Sequence, residues 1–72
     1  MSLEFLLVVY PDDGRAVLAD GDRVGVTNHT LMLPSNEYEI ALDGGQTTPA
    51  SQRVVLAGTS VVRPKVVCFE PS

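Results

Sequence analysis

The Asp-Gly pair at Asp20-Gly21, set between Ala16-Val17-Leu18-Ala19 and Asp22-Arg23-Val24-Gly25-Val26-Thr27, is the feature that most constrains this chain. A two-residue hairpin turn needs a left-handed backbone, which glycine adopts freely and aspartate tolerates. The stretch from Pro11 to Thr27 therefore reads as a short strand turning through Asp-Gly into a second one. No window of ten or more residues carries the apolar period of a helix, so the chain is predicted to be all-β.

The remaining segments agree. In Glu37-Tyr38-Glu39-Ile40-Ala41-Leu42-Asp43, alternation places Tyr38, Ile40 and Leu42 on one face and Glu37, Glu39 and Asp43 on the other. The run Leu3-Glu4-Phe5-Leu6-Leu7-Val8-Val9-Tyr10 is apolar on both faces, which predicts a strand that is central or covered. Pro34-Ser35-Asn36 follows Thr30-Leu31-Met32-Leu33 and predicts a hairpin into the Tyr38 strand, with Asn36 suited to a left-handed turn position. The polar residues 43–51 are predicted to form the longest and most mobile loop. Gln52-Arg53-Val54-Val55-Leu56-Ala57 reads as a strand and Gly58-Thr59 as a turn. A final β-branched strand runs from Val61 to Phe69, where Pro64 demands an edge, a bulge or a break. About six to seven short strands at turn-punctuated intervals suggest a small antiparallel β-sandwich or partly open barrel. No linker, repeat or low-complexity tract divides it, so residues 1–72 are read as one domain.

At 72 residues the chain is near the lower limit for burying a sufficient core, yet 44% hydrophobic and 19% charged residues are a folding composition. Its net charge of -4 and the scattering of Arg15, Arg23, Arg53, Arg63 and Lys65 argue against nucleic acid and against an anionic membrane surface. No apolar run is long enough for a helix to cross a bilayer, so membrane insertion is not expected. The apolar N-terminal run lacks a basic leader and a cleavage site; it reads as a strand, not a signal peptide, and points to the cytoplasm. The single cysteine, Cys68, excludes an intrachain disulfide and an all-cysteine metal cluster. Within Val66-Val67-Cys68-Phe69 it is expected to be a small buried hydrophobe.

The order of these elements resembles the PEGA domain family, small bacterial and archaeal β modules. The resemblance runs through Leu7-Val8-Val9, Pro11-Asp12-Asp13-Gly14, Ala16-Val17, Asp20-Gly21, Val24-Gly25, Thr27, Leu31, Leu33 and Tyr38-Glu39-Ile40, roughly two thirds of the chain. Asn28 stands where that family usually has proline, Ser35-Asn36 where it has a glycine turn, and Gly44-Gly45 where it has Gly-Tyr. The resemblance implies a β-sandwich without established catalysis that mediates binding, commonly attached to envelope or surface proteins. It thus implies the cell surface, and it carries over no catalytic residue.

Individual side chains add little chemistry. His29 is the only histidine, and none of Ser35, Ser51 or Ser60 lies in a nucleophile-elbow context. Asp12, Asp13, Asp20 and Asp22 could gather around a hard cation, but aspartate is also what turns favour, and no twelve-residue calcium loop with a terminal Glu is present. Glu37 and Glu39 lie on one wet strand face, where solubility and edge protection explain them. Asn28-His29-Thr30 matches a glycosylation pattern that is common by chance. The six glycines form no phosphate-cradling loop. No catalytic, cofactor-binding or metal-binding residue is therefore assigned, and no cofactor is expected. The expected role is noncatalytic binding or assembly with a protein partner, or self-association into a homo-oligomer, through a sheet edge or the loops at Asp20-Gly21 and residues 44–51. The alternative is an envelope saccharide-binding module stacking sugar on Tyr38 or Tyr10.

Overall fold

The computed structural model describes residues 2–44 and 46–72. They form nine strands and no helix: β1 (Leu3–Val9), β2 (Ala16–Ala19), β3 (Asp22–Val26), β4 (Thr30–Pro34), β5 (Asn36–Leu42), β6 (Thr47–Thr48), β7 (Gln52–Leu56), β8 (Lys65–Cys68) and β9 (Glu70–Pro71). One sheet has the order β4-β1-β8, a second β3-β2-β5-β7, and β6 pairs with β9 in a short ribbon. The inward residues of the two larger sheets meet in one core, led by Leu6, Val8, Val17, Ile40, Leu56 and Phe69. The all-β sandwich expected from the sequence is thus present, with more strands than the alternation showed.

The Asp20-Gly21 hairpin forms as the sequence requires. Asp20 and Gly21 have φ of 52° and 88°, the pair of positive values that a type I′ turn needs, and Ala19 lies opposite Asp22. The register shifts between Val17 and Leu18, so that Val24 of β3 has no partner opposite it in β2. Beside it, Gly25 faces Leu31 of β4 in the other sheet, and a Cβ on it would collide with a Leu31 methyl carbon. A side chain at that position would force the Leu31 methyl groups to move.

Asn28, φ 64°, turns the chain from one sheet to the other. Its backbone N–H donates to Val8 O at 2.8 Å. Its side-chain amide pairs with both backbone groups of Tyr10, accepting from the N–H at 3.1 Å and donating to the carbonyl at 2.8 Å. Fully buried Thr27 holds the preceding loop in the same way, accepting from Arg15 N–H at 3.1 Å and donating to Asp12 O at 2.7 Å. These bonds satisfy backbone groups that no strand pairs.

Several expectations need correction. The segments either side of Ser35 do not form a hairpin: β4 pairs with β1 while β5 pairs with β2 and β7, so Ser35 is a crossing between sheets. The left-handed non-glycine positions are Asp20 and Asn28, not Asn36. Residues 43–51 are more than a loop, because β6 pairs with β9 and buries Thr47. Of the options that Pro64 left open, the break is the one taken, in an edge strand: Val61 and Val62 lie outside any strand and β8 begins at Lys65. β8 then runs parallel to β1, a long-range pairing for which the sequence carries no local signal. Cys68 is exposed, not buried, because Val67 and Phe69 take the inward positions beside it.

Candidate functional site

The three-stranded sheet has two faces of unlike provenance but like chemistry. Its inward face carries Leu6 and Val8 of β1, Leu31 and Leu33 of β4 and Val67 of β8, all buried. Its outward face is set by the same register. On β1 it presents Leu3, Phe5, Leu7 and Val9, with Leu3 51% exposed and Val9 37%. Opposite them on β4 stand Pro34, Met32 and Thr30, and Met32 is 60% exposed. On β8, Val66 and Cys68 lie beside Leu7 and Val9, and Val66 is 52% exposed. No charged residue occupies an outward position on any of the three strands.

The one ionisable group on the inward side of β1 is held by a local network. Glu4, only 7% exposed, accepts at Oε1 from the Thr59 backbone N–H at 2.8 Å and from the Thr59 hydroxyl at 2.6 Å. The same hydroxyl oxygen accepts from the Phe5 N–H at 2.7 Å, at a level of β1 that β8 does not reach. The two bonds from Thr59 hold the Glu4 carboxyl below its ordinary pKa, against the opposing effect of desolvation. Glu4 therefore supports the end of the sheet.

The side chains singled out in the sequence do not converge. Asp20 continues the ladder beyond β2: its N–H donates to Glu39 O at 2.9 Å, and its carboxylate accepts from Glu39 N–H at 2.8 Å. Asp13 accepts from the Asn28 amide. Among the described residues no three acidic, histidine or cysteine side chains are grouped as metal ligands, and Asp12, Asp13, Asp20 and Asp22 are all exposed. His29 is exposed in the turn before β4. The Ser35 hydroxyl donates to Leu56 O and that of Ser51 to Glu39, while Ser60 accepts from Arg63 N–H. The Asn28 amide that would carry a glycan already donates to Tyr10 O and Asp13.

Neither tyrosine offers an open stacking platform. Tyr10 is 5% exposed; its hydroxyl accepts from Arg15 Nη1 at 3.1 Å and the guanidinium lies 5.2 Å from its ring centroid. Tyr38 is half-buried against the core, with its hydroxyl donating to Pro34 O at 2.6 Å. An open cleft of about 330 Å³ lies at the β6–β9 ribbon, lined by Gln46, Thr47, Ala50 and Ser72, with no charged or aromatic group. The loop at residues 44–51 is thus represented by this cleft, with Gly45 outside the described residues.

The outer face of the three-stranded sheet is the surface that reasoning from the sequence missed. Its signal was present: Leu3, Phe5, Leu7 and Val9 are all apolar at alternate positions, opposite an equally apolar inward series. The strand was expected to be central or covered: β1 is indeed central, between β4 and β8, but among the described residues nothing covers its outward face. Compared with known proteins, the chain matches no family model, no curated sequence and no solved structure.

Proposed function

We propose that this chain is a noncatalytic, PEGA-like binding or assembly module that engages a protein partner through the outer face of its three-stranded sheet. A single observation carries the reading: the outward positions of β4, β1 and β8 hold no charge, although nearly a fifth of the chain is charged. A sheet with its core on one side ordinarily alternates apolar inward with polar outward. An apolar second face exposes surface that water disfavours, and its burial against a partner recovers the hydrophobic free energy. The scattered nucleophiles, acids and lone histidine favour binding over chemistry, because a catalytic site needs those groups within hydrogen-bond reach of one another.

A photo-crosslinking residue at position 32, compared in the native host with one at position 55 on the other sheet, tests this reading. Protein adducts are expected in clear excess from position 32. Equal yields from the two positions, or none from either, overturn it.

A further inference from the structure

We infer that the occupant of this face is a second copy of the same chain, stacked sheet on sheet about a two-fold axis. The inference rests on the docking reading above and adds the identity of the partner. All nine carboxylates lie elsewhere. Glu4 points inward, Glu37 and Glu39 occupy β5 in the other sheet, and Asp20 and Asp22 stand at its hairpin. Asp12 and Asp13 lie between β1 and β2, Asp43 follows β5, and Glu70 is in β9. Two molecules of net charge -4 therefore meet on this face without bringing carboxylates together, and Lys65 of β8, opposite Leu6, is at a position of the other face.

The same absence of charge speaks against a charged peptide or a polar ligand, which would leave its own groups unpaired on an apolar floor. An isologous contact needs only a patch complementary to itself, and an uncharged, pleated apolar face meets that condition across a two-fold axis. Sheets stack in this way about 10 Å apart, with strands aligned to within about 30°. Strand spacing and rise give the patch dimensions of about 14 by 23 Å. Two such faces cover on the order of 650 Å², below the usual range for stable complexes, so the dimer is a weak, reversible one. Across the contact, Met32 of β4 and Val66 of β8 flank the half-buried Phe5 and Leu7 of β1.

Sedimentation equilibrium of the full chain from about 1 μM to 1 mM tests the inference over the range where such a dimer exchanges. Wild type is expected to approach twice its 7.7 kDa mass as concentration rises. Met32→Glu should weaken association by at least about tenfold, because it places a charge in the desolvated contact. Val55→Glu, equally exposed but on the other sheet, should change it less than about twofold. Circular dichroism checks that each variant folds, and Val66→Glu replaces Met32→Glu if the latter does not. A wild type that stays monomeric throughout overturns the dimer. So does a dimer equally sensitive to Val55→Glu. If the chain is monomeric while position 32 still crosslinks to another protein, the dimer fails and the docking reading stands; monomer together with no crosslinks removes both.

Discussion

The two large sheets share one core but turn unlike faces to the outside. On the four-stranded sheet, outward positions alternate as a half-wet sheet should: Glu37 lies opposite Val55, Glu39 opposite Arg53 and Arg23 opposite Leu18. Glu37 and Arg53 form an exposed ion pair at 3.7 Å. On the three-stranded sheet the corresponding positions are Leu3, Phe5, Leu7, Met32, Val66 and Cys68. The difference teaches that alternation reports which face is wet only when one face is wet. A strand apolar on both sides says that both sides avoid water, not what covers them.

The largest expected effect breaks no asymmetry, because the inward faces are equivalent. Leu6→Ala and Ile40→Ala, one from each sheet and both fully buried, should each destabilise the fold by about 2–5 kcal/mol in urea unfolding. A far smaller loss for Leu6→Ala would mean that the three-stranded sheet is a loose appendage to the other. The joint between the sheets comes next. Asn28→Ala removes three side-chain hydrogen bonds and the favoured left-handed residue, so a loss of about 2–3 kcal/mol is expected by the same measurement.

A third test sharpens the comparison through pH. Glu4 has a folded pKa below its ordinary value, so its contribution is present above the unfolded pKa and is lost as pH falls through the folded one. The difference in Tm between wild type and Glu4→Gln should therefore be largest near neutrality and shrink below about pH 4.3. A difference independent of pH would show that the Thr59 bonds do not favour the charged form. The smallest effect belongs to the wet face: Arg53→Ala removes an exposed ion pair and should cost less than about 1 kcal/mol.

How far the chain could be read in advance depended on the range of the interaction. Asp20-Gly21 was legible because a left-handed turn is a local steric demand. The Tyr38, Ile40 and Leu42 face was legible because alternation is local too. Asn28 was seen as a glycosylation pattern and a departure from a proline, although its role is to pair with Tyr10, eighteen residues away. Tyr10 was open as a sugar platform until Arg15 and the core were seen to enclose it. Cys68 was assigned to the core from its apolar neighbours, but in a strand the immediate neighbours point the opposite way.

By itself, the sequence determined the all-β class, the Asp20-Gly21 hairpin and the inward face of the Tyr38 strand, since turn sterics and period-two alternation act within a few residues. Only the tertiary structure decided that β4 and β5 separate at Ser35, that β8 returns parallel to β1, and that one apolar face of β1 stays open. Those outcomes depend on which distant strands bury each other most favourably, and no local spacing encodes that choice.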